Sequence, residues 1–162
     1  MVSEKISEAI NEQINKEFYS GYLYLSMSAY LKEIGLFGTS SWLRIQAKEE
    51  VEHGLKLFDY LIDSNKFITL KQIKTPDFEF HGVISIFEKI LEHEKNITSS
   101  INAISKTAEI ESDSATLTFV DWFIKEQSEE ELIIKNIIKR LKLFGEDKTS
   151  LYLFDKDMGL RT

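Results

Sequence analysis

Two side chains that commonly bind metals lie one helical turn apart in the segment QAKEEVEHGLKLF, residues 46–58. Glu50 and His53 are related as i and i+3, so on a helix both point to one face and can reach the same ion. The segment has no proline and spaces its apolar residues as a helix does, yet Glu49, Glu50 and His53 lie where the buried stripe should pass. Such spacing is common by itself, and an exposed pair on an amphipathic helix is the alternative.

Three further segments carry a similar interruption of a helical apolar stripe. The interrupting residues are Glu17 in the first segment, Glu94 in the third, and Gln127 with Glu130 in the fourth. All of them lie near the middle of their predicted helices, and the midpoints of aligned helices lie at one height whichever way each helix runs. The sequence therefore predicts a single polar layer of carboxylates and one imidazole inside an apolar bundle.

A layer of buried carboxylates needs compensating positive charge. Each unpaired buried carboxylate costs several kcal/mol, and together they would rival the net stability of a domain, about 5–15 kcal/mol. No lysine or arginine lies nearby on the predicted stripes. Protonation could neutralise one or two of the acids, but metal cations are the simpler answer.

The ligand types indicate which metal site this would be. A Glu-x-x-His pair with inward glutamates from other helices is the pattern that builds two-metal carboxylate sites in bundles. Oxygen-rich ligation with a single histidine favours iron or manganese over structural zinc. Glu50 is the most plausible bridge between two ions.

A second acidic cluster adjoins this layer. It consists of Glu49 in the second helix with Glu126, Glu129 and Glu130 in the fourth. These glutamates could bind a further cation beside the pair. Runs such as EQSEEE are also often solvated helix surface, so the spacing alone leaves both interpretations open.

Neighbouring aromatic and histidine residues have less specific signals. Tyr24 lies two helical turns after Glu17 on the same face, where it could hydrogen-bond a ligand, donate an electron or simply pack in the core. Trp122 is predicted to pack rather than to take part in redox chemistry. His93 points about 100° away from its neighbour Glu94 on a helix, so we predict a surface position for it.

These residues require long helices to position them. Ser3, Thr39 and Asp113 are candidate N-caps, and Gly35 and Gly145 mark helix ends. Apolar spacing and these signals predict helices over about residues 4–34, 40–64, 83–110 and 114–143, with a short fifth helix over about 147–158.

The connections predict how the helices are arranged. Short links make the first and second helices antiparallel neighbours, and likewise the third and fourth. Residues 66–81 are long enough to run back along the bundle. The predicted fold is therefore all-α, an up-down-down-up four-helix bundle with one long crossover and a short C-terminal helix, in a single domain over residues 1–162.

Composition excludes several classes of protein. The net charge of −7 argues against general affinity for nucleic acid or anionic membranes. The absence of cysteine excludes disulfides and thiolate metal sites. The polar N-terminal stretch MVSEKISEAINEQ is not a signal peptide, and no apolar run is long enough to span a membrane, so we expect a cytoplasmic location.

With these residues in view, the chain resembles bacterial non-haem ferritins over essentially its full length. The resemblance rests on Glu17 with Tyr24, on KEEVEH in the second helix, on Glu94, and on WFIKEQSEEE in the fourth helix. It implies a ferroxidase that oxidises Fe(II) with O2 or H2O2 at a di-iron centre. It also implies that a hollow homo-oligomeric shell of twenty-four subunits stores the ferric mineral.

The resemblance also implies roles for individual residues. The first iron position corresponds to Glu17, Glu50 and His53, and the second to Glu50, Glu94 and Glu130 with Gln127 close by. The third position found in bacterial ferritins corresponds to Glu49, Glu126, Glu129 and Glu130.

Departures from related families narrow this expectation. Bacterioferritins and rubrerythrins carry a second Glu-x-x-His in the last helix, where this chain has Gln127 and Glu130. The haem-binding methionine of bacterioferritins corresponds here to Val51, so haem is not expected.

Two other functional classes compete with this one. A redox enzyme on the same bundle, such as a manganese catalase or a ribonucleotide reductase small subunit, is disfavoured by the small size and the lack of a second histidine ligand. A purely structural bundle would keep its inward acids protonated or hydrated and would bind no stoichiometric metal.

Overall fold

The structure is a computed structural model that describes residues 2–162; Met1, the first residue of the predicted domain, lies outside the described residues. It confirms the predicted all-α bundle with a short C-terminal helix, and the long connection joins the second helix to the third. The helices are α1 (Glu4–Glu33), α2 (Phe37–Asp63), α3 (Val83–Ile110), α4 (Ser114–Phe144) and α5 (Lys148–Met158). Across residues 2–162, no helix has both the length and the apolarity needed to cross a bilayer.

Local capping signals account for most helix ends. The Ser3 hydroxyl accepts a hydrogen bond from the backbone N–H of Ile6 at 3.1 Å. A carboxylate oxygen of Asp113 accepts one from the backbone N–H of Thr116 at 3.2 Å. Gly35, just beyond α1, has φ of +88°, a conformation that glycine adopts without steric cost.

The predicted cap of α2 is wrong. The helix begins at Phe37 rather than at Ser40, and its N-cap residue, Leu36, makes no capping side-chain hydrogen bond. Thr39 lies inside the helix, where its backbone N–H and its hydroxyl both donate to a carboxylate oxygen of Asp155 in α5 at 2.7 Å. A carboxylate from a distant part of the chain therefore replaces the local cap.

The buried apolar residues form two clusters separated by polar residues along every long helix. In α1, Ile14 belongs to one cluster and Leu23 to the other, with Glu17 between them. In α3, Ile97 and Ile90 are divided in the same way. The bundle is thus held together above and below a polar layer.

The crossover between α2 and α3 is held to α1 by side chains that bind its backbone. The Asn11 amide donates to the carbonyl of Phe67 at 3.1 Å, and its carbonyl accepts from the N–H of Thr69 at 2.8 Å. Further along, the Ser26 hydroxyl donates to the carbonyl of Asp77 at 2.6 Å. These contacts satisfy backbone groups in a segment that has no secondary structure of its own.

The fifth helix docks against the start of α2. Phe154 and Met158 of α5 are buried in the same apolar cluster as Leu43. Gly38 makes the close approach possible: a Cβ at this position would lie 1.9 Å from the carbonyl oxygen of Asp155.

We therefore expect Gly38→Ala to loosen α5. The new methyl group would meet backbone, which cannot move aside as a side chain can, so the docked helix must shift. Overpacking of this kind costs about 1–3 kcal/mol. Calorimetric melting should show a lower Tm, and limited proteolysis should cut the tail faster. The matched control is Ser41→Ala, an exposed residue in the same turn region of α2, and an equal effect there would contradict this reading.

Candidate metal centre

Three predicted ligands come together in the polar layer. One ligand atom each from Glu17, Glu50 and His53 lies within 4.8 Å of the others, and all three residues are buried. The Nδ1 atom of His53 lies 3.6 Å from Oε2 of Glu50, as expected for residues one turn apart. A hard cation between these atoms would be bound by oxygens of two helices and by one imidazole nitrogen.

This cluster contains buried acceptors without partners. Oε1 of Glu17 accepts a hydrogen bond from the Gln13 amide at 2.7 Å, but its Oε2 has no hydrogen-bond partner among residues 2–162. Oε2 of Glu50 likewise has none. Since buried polar atoms are nearly always satisfied in folded proteins, these two oxygens are suited to bind a cation.

The electrostatics of the cluster also favour a bound cation. Burial, and then the neighbouring charge of Glu50, raises the pKa of Glu17 well above its usual range. Burial, and then the charge of Glu94, does the same to the pKa of Glu50. Carboxyls in this state bind either protons or a cation at neutral pH.

Glu94 of α3 is held by two side chains. The Tyr24 hydroxyl donates to its Oε1, and the Gln127 amide donates to its Oε2 at 2.9 Å. Burial raises the pKa of Glu94 even though both hydrogen bonds lower it. Burial, followed by Glu94, also raises the pKa of Tyr24 well above its usual range, so the phenol keeps its proton.

Glu130 is connected to Glu50 through an amide that the sequence pattern did not single out. The Gln46 amide nitrogen donates to Oε2 of Glu130 at 2.8 Å and to Oε1 of Glu50 at 3.3 Å. Burial raises the pKa of Glu130 to about 7. Gln46 thus positions carboxylates of two different helices.

Two glutamines support the layer from one helical turn away. Gln13 precedes Glu17 by four residues, and Gln46 precedes Glu50 by four. This i, i+4 relation is the signal that could have identified both from the sequence.

The residues of the predicted third position are arranged differently. Glu126 is half-buried and Glu129 is exposed. Glu49 is half-buried and forms an ion pair with Arg161, whose Nη2 lies 2.6 Å from Oε2 of Glu49. An arginine therefore lies near the layer after all, but it comes from the C-terminal tail rather than from a helical stripe.

Aromatic rings fix the orientation of His53. The edge of its ring meets Trp122 at a centroid distance of 5.4 Å and Phe123 at 6.1 Å. The Trp122 ring also lies under the ammonium group of Lys56, 3.6 Å from the ring centroid. These contacts agree with a packing role for Trp122.

His93 is not the surface residue that its helical position predicts. It is a half-buried residue of α3 that packs against α1, with Nε2 2.7 Å from the Ser20 hydroxyl and its ring edge-on to Tyr24 at a centroid distance of 6.0 Å. Burial, and then the charge of Lys74, lowers its pKa to about 4. The crossover between α2 and α3 covers this face of the bundle. The periodicity of α3 alone cannot show this, because it takes no account of the crossover.

Comparison with known proteins identifies the fold. The family model described as a ferritin-like domain matches residues 7–144. A probable bacterial non-heme ferritin-like protein of Haemophilus influenzae is 41% identical over 160 residues, which cover 98% of this chain and 96% of the relative. A bacterial non-heme ferritin of Campylobacter jejuni is 39% identical over 156 residues. That alignment covers 96% of this chain and 93% of the relative.

The chain belongs to the ferritin family. Among solved structures, an open pore ferritin of the archaeon Archaeoglobus fulgidus superimposes with a TM-score of 0.98 at 42% identity, covering 100% of each chain. The likeness therefore includes α5 and the crossover as well as the four long helices. In this chain, one buried glutamate from each long helix contributes to the polar layer, namely Glu17, Glu50, Glu94 and Glu130.

The raised pKa of Glu130 predicts how stability depends on pH. Its carboxyl titrates near 4.5 when exposed and near 7 in the fold, so between these values the folded state binds more protons than the unfolded state. The metal-free protein should therefore lose stability as the pH rises through this window. Thermal melting of Glu130→Gln should show a shallower slope.

The matched control is Glu92→Gln, which changes an exposed glutamate of α3. It should keep the slope of the unmodified protein. Equal slopes in all three proteins would contradict the assignment of this pH dependence to Glu130.

Proposed function

We propose that this protein stores iron and oxidises Fe(II) at an intra-subunit site that holds two ions. The observation that carries the proposal is the buried cluster of Glu17, Glu50 and His53, in which two carboxylate oxygens lack a hydrogen-bond partner within the part of the chain that the structure describes. In a member of the ferritin family, Fe(II) is the cation that such oxygens are expected to bind.

The residues of the layer divide between two iron positions. Glu17, Glu50 and His53 would bind the first ion, with Glu50 bridging to the second. Glu94 and Glu130 would complete the second position, and Gln127 would hold the Glu94 carboxylate in place through the hydrogen bond at 2.9 Å. The glutamate oxygens neutralise the charge of the ions and favour the ferric state that oxidation produces.

Two iron ions provide the electrons that the oxidant needs. Each Fe(II) loses one electron, and the pair reduces O2 to H2O2, or H2O2 to two water molecules, with two protons taken up. Water bound to the ferric product is acidified and releases protons, which drives hydrolysis toward mineral. Glu49, Glu126, Glu129 and Glu130 would hold a third ion beside the pair.

We further infer that copies of this chain assemble into a homo-oligomeric shell, with twenty-four subunits expected from the resemblance. The surface supports association, because large apolar side chains are exposed on several elements. These residues include Tyr22, Leu25, Phe37, Phe67, Phe78, Leu143, Phe144 and Leu160.

The double change Glu50→Ala with His53→Ala tests the oxidation site. It removes the bridge and the imidazole, so rapid oxidation should be lost. The expected drop exceeds the about 10–100-fold that loss of a mere supporting hydrogen bond costs at a metal site. The measurement is the near-ultraviolet absorbance of ferric species after air is admitted to protein loaded anaerobically with Fe(II).

Glu52→Ala is the matched control, since Glu52 is exposed on the same helix. It should keep the fast phase. Unchanged oxidation in the double variant would overturn the proposed function, provided that size-exclusion chromatography shows the same assembly in all three proteins.

Tyr24→Phe tests a second role in the same site. The change removes the hydroxyl that donates to Glu94 and the phenol that could supply an electron. Fe(II) binding should persist while oxidation slows by about tenfold, the lower end of what a supporting hydrogen bond contributes. Freeze-quenched electron paramagnetic resonance should also lose a tyrosyl radical signal. The control is Tyr22→Phe, which changes an exposed tyrosine of the same helix and should alter neither the oxidation rate nor the radical signal. An unchanged oxidation rate in Tyr24→Phe would show that Tyr24 only packs in the core.

A further inference from the structure

The guanidinium of Arg161 is held at three points beside the polar layer. Nη2 donates to Oε2 of Glu49 at 2.6 Å, and Nη1 donates to Oε1 of Gln46 at 2.9 Å. Its Cζ atom lies 4.5 Å from the ring centroid of Trp42. A fork of two hydrogen bonds over an aromatic face is a favourable setting for arginine, which remains charged at any physiological pH.

The position of Arg161 is determined by α5, which is itself held by contacts with α2 and α4. The Asp155 carboxylate accepts hydrogen bonds from the backbone N–H groups of Gly38 at 3.0 Å and Thr39 at 2.7 Å. Arg140 of α4 binds Asp157 at 2.6 Å. Because the tail is already ordered by these contacts, little additional entropy is lost when Arg161 binds Glu49.

Arg161 also determines which way the Gln46 amide faces. A guanidinium has only donors, so it must meet the carbonyl oxygen of the amide. The amide nitrogen is then left to donate to Glu50 and Glu130, as the hydrogen bonds at 3.3 Å and 2.8 Å require. Through Gln46, the tail therefore positions carboxylates of the two-ion site.

The same contact occupies Glu49. A cation that binds at Oε2 of Glu49 must break a charge-assisted hydrogen bond and leave the half-buried guanidinium without its charged partner. The first ion requires no such displacement, because Glu17 and Glu50 each have one oxygen without a hydrogen-bond partner among residues 2–162. At the second position, Glu94 and Glu130 accept hydrogen bonds from neutral amide and hydroxyl groups, not from a guanidinium.

We propose that Arg161 is a built-in competitor for the third cation: it holds Glu49 as an ion pair, so that a third ion binds only by displacing the guanidinium. This inference rests on the proposed function, in which Glu49 belongs to a third position. Arg161 is a positioning residue that favours filling of the two-ion site before the third position.

Anaerobic calorimetric titration with Co(II), which is not oxidised under these conditions, tests the competition without relying on activity. The unmodified protein should bind two ions more tightly than a third. Arg161→Gln should tighten the third ion by about tenfold, within the about 5–150-fold range typical of coupled binding events. Arg161→Lys keeps the charge without the fork and should give a smaller gain.

Two controls decide the interpretation. Adding Glu49→Gln to Arg161→Gln should abolish the increase in third-ion affinity, because the carboxylate that pairs with the arginine is no longer present. Arg140→Gln breaks the ion pair with Asp157 but leaves Arg161 in place, so it should not tighten the third ion. An equal gain in Arg140→Gln would assign the effect to general loosening of the tail and would overturn the proposal.

Unchanged third-ion affinity in Arg161→Gln would also overturn it. Failure of the proposed function has a different signature, namely the absence of the two tighter ions in the unmodified protein. The comparison between the two proteins would still decide the role of Arg161, because it asks only whether cation affinity at Glu49 depends on the guanidinium.

Discussion

The structure depends on one electrostatic constraint: carboxylates from four helices are buried at the same height in an otherwise apolar bundle. Burial raises the pKa of Glu17, Glu50 and Glu94, and that of Glu130 to about 7. Such groups destabilise the fold when charged and unpaired. The two apolar clusters on either side of the layer provide the stability that lets the bundle tolerate it.

Supporting side chains keep the layer ready for cations instead of neutralising it. Amides of Gln13, Gln46 and Gln127 donate to the carboxylates, which orients them without adding charge. Tyr24 does the same with a hydroxyl. A lysine or arginine in these places would form an ion pair and exclude metal. Arg161, which approaches the layer, pairs instead with Glu49 at its edge.

Sequence reasoning succeeded where the determining signals are local. Asp113 and Gly35 act where the pattern predicted, and the inward stripes predicted the buried layer because helical periodicity fixes which side chains share a face. It failed where the determining contact is distant along the chain. Thr39 was wrongly predicted as the cap, because the Asp155 carboxylate accepts the hydrogen bonds of backbone N–H groups at the start of α2. No local pattern links Arg161 to Glu49, which lie 112 positions apart. His93 was misplaced because the crossover buries a face that periodicity treats as solvent.

The most direct test of the account is the number of protons released when Fe(II) binds anaerobically to the metal-free protein. Binding should saturate at about two tightly held ions per chain and should displace protons from the buried carboxyls. Release should be greater at about pH 6 than at about pH 8, since Glu130 titrates near 7 in the fold. Equal release at both pH values, or binding without any release, would contradict the claim that iron replaces protons in this layer.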